Sequence, residues 1–260
     1  MSLAHDAEIV KRTDVTHDAF LGGRLTITQP AKGFRAGLDS VLLGAAVGHT
    51  AGTILDLGAG AGTAAFVALA HHPALIATLV ESDPALTELA VANIAANGLA
   101  ARADVLDMDL TASGRARASA GLAADSFVSV IANPPFFTTG RGTRASARGA
   151  AARHMTADQL DLWIKTAATH ATPGGEVIFI HTADALPALL QGFTARFGGI
   201  TLLPLLPREG EPAHRLLIRG IKGSRAPLTL LASRAMHTPA GRHFRPEFEA
   251  IFRGDDRLHW

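Results

Sequence analysis

The feature that most restricts the fold is a regular alternation running from Gly52 to Lys222. Short apolar runs take turns with longer stretches whose apolar residues recur at helical spacing. "GTILDL", "ALIATLVE", "RADVLDMD", "SFVSVIA", "EVIFIHT", "ITLLPLLP" and "HRLLIRGIK" read as strands. "TAAFVALAHH", "ALTELAVANIAANG", "TADQLDLWIKTAATHA" and "ADALPALLQGFTARFGG" read as helices between them. Strands separated by helices cannot form hairpins, so they pair in parallel, with helices covering both faces of the sheet. The last two strands are separated by only a short loop, which predicts one antiparallel strand near the end. The expected class is therefore α/β, a Rossmann-like, mostly parallel seven-stranded sheet.

Local signals punctuate this frame. Asp83 followed by Pro84 predicts a capped helix start, and Asn97-Gly98 a left-handed stop. Thr156 and Gln159 form a capping-box pattern. Before the alternation, "FLGGRLTITQP" reads as a strand or hairpin and "GLDSVLLGAAV" as a helix. The Ala-, Arg- and Ser-rich stretch 111–124 reads as an insertion or long loop. We divide the chain into an N-terminal hairpin and helix (1–50), a core domain (51–222) and a C-terminal extension (223–260).

Composition excludes several classes. Among 260 residues there is no cysteine, so disulfides, thiolate nucleophiles and Cys-ligated zinc are ruled out. The formal net charge is +1, so global charge does not announce a nucleic-acid binder, and such binding must come from local patches. No apolar window of about 18 residues suits a membrane span. The polar start "MSLAHDAEIVKRTD" lacks a signal-peptide pattern, so the cytoplasm is the expected compartment. The histidines show no paired spacing for a metal, and none is expected to bind one. His71-His72 sits at a helix end, where an imidazolium suits the dipole, and His154 and His181, near the expected site loops, read as structural or surface residues. Phe127, Trp163 and Phe179 read as core.

Ligands of open α/β sheets sit at the carboxyl ends of the strands, where strand order reverses. The first such end here is "LDLGAGAGT". Gly58, Gly60 and Gly62 allow a tight turn with bare backbone against a ligand. The dinucleotide fingerprint would need a third glycine at position 63, where Thr63 stands. Asp56, just before the loop, suits a ligand with an ammonium group better than one with pyrophosphate. Glu81 ends the next strand, where an acid reaches ribose hydroxyls. Ribose, adenine, an amino group and no phosphate describe S-adenosylmethionine (SAM).

The fourth strand of the alternation ends in Asn133-Pro134-Pro135-Phe136. Asn133 supplies a side-chain carbonyl and Pro134 a backbone carbonyl, while the two prolines stiffen the turn. Two acceptors on the two hydrogens of a conjugated amino group help its nitrogen pyramidalise and hold it in line with a methyl donor. Phe136 offers a flat face for a planar base.

"DLGAGAG" with "NPPFF" resembles the class I SAM-dependent amino-methyltransferases. With "FLGGRLTITQPAKGFRAGLDSVLLGAAV", "RGTRASARGAAARHM" and "PGGEVIFIHTADAL", the chain resembles the bacterial tRNA adenine-N6 methyltransferase family from about Phe20 to Lys222. The resemblance implies SAM as cofactor, Glu81 on the ribose, and Asn133 to Phe136 on the target base of a tRNA. It implies Asp109 on the cofactor adenine, with Met108 in place of the family's usual glycine and Asp107 as a rival. Phe34 stands where the family commonly has tyrosine. Arg141, Arg144, Arg148 and Arg153 follow the motif with no acid between them and are expected to contact substrate RNA. Arg215, Arg219, Lys222 and Arg225 read as a second basic patch or as strand-surface charge. Other readings are a protein glutamine N-methyltransferase, disfavoured by the short N-terminal segment, and a non-catalytic SAM-binding interaction module. A nicotinamide-dependent oxidoreductase is weakened by Thr63.

Overall fold

The computed structural model describes residues 14–33, 35–136 and 155–260. Phe34, Arg141, Arg144, Arg148, Arg153 and His154 lie outside them.

An antiparallel hairpin comes first, β1 (Val15–Phe20) and β2 (Leu25–Pro30), joined by a short 3-10 turn. Helix α1 (Leu38–Ala45) leads into β3 (Ala51–Leu57), α2 (Thr63–His71), β4 (Ala74–Glu81), α3 (Pro84–Ala96) and β5 (Ala103–Asp107). Then come α4 (Gly114–Ser119), β6 (Phe127–Ala132), α5 (Ala157–His170), β7 (Ala171–Thr182), α6 (Leu186–Thr194), β8 (Phe197–Leu206) and β9 (Arg215–Lys222). Two-residue strands β10 (Thr229–Leu230) and β11 (Arg234–Ala235) and helix α7 (Pro246–Arg253) close the chain.

The seven long strands lie in the order β8-β9-β7-β6-β3-β4-β5, with β10 and β11 both added in parallel beside β8. Only β9 runs against its neighbours, β7 and β8, as the short connection before it predicts. The chain builds outward from β3 through β4 to β5, then returns to place β6 on the other side of β3. The strand order therefore reverses between β3 and β6.

Strand residues alternate between two cores, which is why these strands read as unbroken apolar runs. Ile54, Ile131, Ile178 and Ile180 join one buried cluster with α1, α2 and α7. Leu55, Leu57, Val130, Ala132, Val177 and Phe179 join the other, with α5 and α6. Phe127, Trp163 and Phe179 are buried as expected.

The local caps form as their residues predict. Asp83 accepts a hydrogen bond from the Ala85 N–H at the start of α3, and Gly98 takes a positive φ after its end. Thr156 and Gln159 cap α5 reciprocally. The stretch 111–124 is more than a loop, because Ser113 caps α4. Arg117 on α4 is buried, donating to the carbonyls of Leu110 and Ala112 and to the His170 ring.

The hairpin docks by a match of periods. Asn93 on α3 and Asn97 at its C-cap are one helical turn apart, and Thr28 and Thr26 are two residues apart on β2. Each asparagine amide pairs with both backbone groups of its threonine. A rise of about 6 Å along the helix meets one of about 6.8 Å along the strand. Asn93 also donates to the Ala61 carbonyl, so the hairpin is tied to the glycine loop. At the other end, Leu258 and Trp260 donate to the carbonyls of Ala45 and Ala46, anchoring the extension on α1.

The expectation for His71-His72 needs correction. Burial lowers the pKa of both rings, with Arg257 adding to the effect, so they sit neutral at pH 7 rather than as imidazolium. Among the described residues no helix is long and apolar enough to cross a membrane.

Candidate active site

Register alone brings most of the predicted residues into one row. Leu57 pairs with Ala132 and with Val80, and Glu81 pairs with Asp107. The next positions, Gly58 and Asn133, thus leave adjacent strand tips at the switch point, with Glu81 beside Gly58. Neighbouring tips are about 4.8 Å apart, so the row suits one extended small molecule.

Gly58 and Gly60 of the loop are glycines for different reasons. Gly58 has φ of 66°, and a Cβ there would lie 2.4 Å from the Trp163 ring. Gly60 has φ of 58°, but a Cβ would meet nothing within 4 Å. Gly58→Ala should therefore lose about 2–4 kcal/mol, from overpacking added to backbone strain, and Gly60→Ala only about 1 kcal/mol. Urea denaturation of the two variants checks this, and equal losses would refute it. Gly62 is the left-handed residue just before α2. Thr63 is the buried first residue of that helix.

Asp56 is 2% exposed, and its Oδ2 accepts from the Ala65 N–H at 3.1 Å. Burial, with Glu81's charge adding and the Ala65 bond opposing, raises its pKa to about 7. Glu81 is fixed by three backbone donors: Gly60 on Oε2, and Ser82 and Asp83 on Oε1. A carboxylate has about four acceptor sites, so about one remains for a ligand hydroxyl.

Asp56, Gly58 and Asn133 line one pocket together with Gln29, Ser40 and Leu86. The Oδ1 of Asn133 is buried and accepts no hydrogen bond from any described residue. Buried polar atoms are rarely left so, and an orphan on a residue that lines a pocket points to a donor supplied by a ligand. Gln29 was legible as a polar residue on the buried side of β2, in step with Leu25 and Ile27. Its amide also accepts from the Ala36 N–H and donates to Asp18. Ser40 carries no comparable sequence signal.

A second pocket is lined by Ser82, Asp109, Thr111, Pro135, Gln159 and Trp163. Asp109 lines it, its Oδ1 accepting from the Thr111 N–H and hydroxyl, whereas Asp107 is not part of its lining. Pro135 thus borders the second pocket, and Asn133 the first. Pro134 is buried, and Phe136 is half-buried against His181. His181 is itself fully buried, and desolvation lowers its pKa so that it stays neutral.

Of the four residues read as a second basic patch or as strand-surface charge, Arg215, Arg219 and Lys222 each have a separate partner. Arg215 lies over Phe136, Arg219 over Trp260, and Lys222 binds Asp125 and the Ala168 and Ala171 carbonyls.

Comparison with known proteins agrees with this arrangement. Residues 38–191 match the family model described as methyltransferase small domain. The chain is 30% identical over 193 residues to the tRNA1(Val) (adenine(37)-N6)-methyltransferase of Shewanella amazonensis, covering 74% of this chain and 79% of that one. It is also 30% identical over 187 residues to ribosomal RNA small subunit methyltransferase C of Klebsiella pneumoniae, spanning 69% of this chain and 48% of the relative. Among solved structures, a predicted O-methyltransferase from Agrobacterium tumefaciens superposes with a TM-score of 0.72 at 32% identity, over 85% of this chain and 98% of that one. The bare glycine turn, the acids on neighbouring tips and the orphaned Asn133 carbonyl are donors and acceptors that SAM and an amino substrate would satisfy. The chain belongs to the methyltransferase small domain family and is a SAM-dependent methyltransferase of class I fold.

Proposed function

We propose that this enzyme methylates the exocyclic amino group of adenine in a tRNA. The observation that carries the reading is the buried Oδ1 of Asn133, which accepts no hydrogen bond from the described residues, beside Asp56 and Gly58 at the switch point. SAM supplies an electrophilic methyl group on a sulfonium. In this reading Asp56 receives its ammonium, the glycine loop its backbone face, Glu81 a ribose hydroxyl, and Asp109, rather than Asp107, its adenine.

The target's two amino hydrogens then point at Asn133 Oδ1 and the Pro134 carbonyl. Accepting both holds the nitrogen at attack distance and aids its pyramidalisation. No strong base is needed, because the methylated nitrogen loses its proton readily. A hydroxyl carries one hydrogen and requires one acceptor that can act as base. An amide oxygen and a peptide oxygen are too weakly basic for that, so the motif favours nitrogen over the oxygen chemistry in the Agrobacterium relative's name. The Shewanella relative, similar over most of both chains, supports tRNA as the substrate class. Arg141, Arg144, Arg148 and Arg153 would hold its phosphates.

Incubation with methyl-labelled SAM and, separately, total tRNA, ribosomal RNA and peptide release factors tests the assignment. Label is expected in tRNA, as N6-methyladenine in a nucleoside digest. Label confined to ribosomal RNA or to protein would overturn it.

A further inference from the structure

Phe136 closes the Asn133–Phe136 motif, and its ring is half-buried. Two side chains from other strands hold it. The edge of the ring meets His181 of β7, with centroids 5.3 Å apart at 72°. One face lies under the Arg215 guanidinium, whose Cζ is 4.8 Å from the ring centroid. Arg215 begins β9 and pairs in register with Thr182, next to His181. Its Nε donates to Asp39 Oδ2 at 2.8 Å, and its Nη1 to the His214 carbonyl at 3.3 Å. Asp39 is in the first turn of α1. Three elements that carry no motif residue thus converge behind the motif's aromatic.

We propose that Arg215, steered by Asp39, is a positioning residue that backs Phe136 and presents the ring's opposite face to the target base. The inference rests on the reading above, methyl transfer to a planar base. A guanidinium over one face attracts the ring's π density and fixes its plane. With that face and one edge taken, a base has one face left to stack on. Asp39 holds the guanidinium by a charge-assisted hydrogen bond and offsets its charge, so Arg215 acts through the ring and not as a phosphate clamp. His181 is buried and neutral, so it adds no second charge at the ring.

Methyl transfer to tRNA by Arg215→Ala, Arg215→Lys, Asp39→Asn, Phe136→Ala and the Arg215→Ala/Phe136→Ala double variant tests this. SAM affinity and thermal melting are measured for each. Arg215→Ala should lower kcat about 10- to 100-fold, with KM for tRNA and its salt dependence unchanged within about threefold. Arg215→Lys should recover only part of the loss, and Asp39→Asn should show a smaller loss of the same kind. On the Phe136→Ala background, adding Arg215→Ala should cost less than about twofold, since the ring it backs is gone.

An unchanged kcat, a loss confined to KM with a shallower salt slope, or additive losses would each overturn the proposal. So would a loss shared by Arg215→Ala and Asp39→Asn that tracks a drop in melting temperature or in SAM affinity. Wild-type label in another acceptor would instead overturn the substrate reading, and the same variants would then be compared on that acceptor. A wild type that labels none of them sinks both.

Discussion

Asn133→Ala is expected to slow methyl transfer by about 1,000-fold while leaving SAM affinity within about threefold. The predicted asymmetry comes from where the lost oxygen acts. Removing one preorganised group aimed at developing charge costs about 100- to 1,000-fold in kcat. Losing the orientation of the attacking nitrogen adds to that. Oδ1 accepts no hydrogen bond from the described residues, so its removal should cost the apo fold little. Asn133→Asp keeps an acceptor oxygen and should retain more activity than the alanine variant. Single-turnover transfer from labelled SAM, with calorimetry for SAM binding, separates the steps. A wild-type rate in Asn133→Ala would remove the amide from the mechanism. A large loss of SAM affinity would make it a cofactor ligand instead.

The sheet and the glycine turn were readable because their signals are local. Apolar runs buried on two faces, the Asp83 cap and the Thr156–Gln159 box each depend on residues within one turn or strand of each other. The row of Gly58, Glu81 and Asn133 was readable because parallel register leaves little freedom once strand order is known. What depends on distant partners was not. Nothing near Asn93 and Asn97 in sequence indicates that they dock a hairpin 65 and 71 residues away. Arg215 and Arg219 share one face of the strand pattern and Lys222 falls on the other, yet all three read alike as basic residues of one short segment. Their ends diverge because Phe136, Trp260 and Asp125, all remote in the chain, capture them separately. Arg117 is a similar case: it lies in the stretch 111–124, whose composition reads as an insertion or long loop. Yet α4 turns it inward, where it ties down the segment carrying Asp109.

Asp56 should make SAM binding depend on pH within the neutral range. Its carboxyl is raised from 3.8 to about 7 by burial, helped by the charge of Glu81 and opposed by the Ala65 N–H. Between these values the folded apo protein holds a proton that the unfolded chain releases. Apo stability contributed by this group is therefore full below about pH 4 and falls as pH rises toward 7, by on the order of 4 kcal/mol in all. Above that both states are ionised, and the penalty stays constant. An ammonium ligand binds the ionised form, so affinity should rise about tenfold per pH unit up to 7 and then level. It should fall again beyond about pH 8, where an α-amino group loses its own proton. Between pH 5.5 and 7.5 the dissociation constant of SAM should tighten about 20- to 30-fold. At pH 6.5, binding should release most of one proton, seen as a dependence of the calorimetric enthalpy on buffer ionisation. Asp56→Asn should flatten the acid limb, weaken SAM at pH 7.5 by about tenfold or more, and raise the apo melting temperature there. A SAM dissociation constant that stays level from pH 5.5 to 7.5 in the wild type would mean that the Asp56 carboxylate does not meet the ammonium. Gln29 and Ser40, which line that pocket with Asp56 and Asn133, would then be the groups to test as its partners.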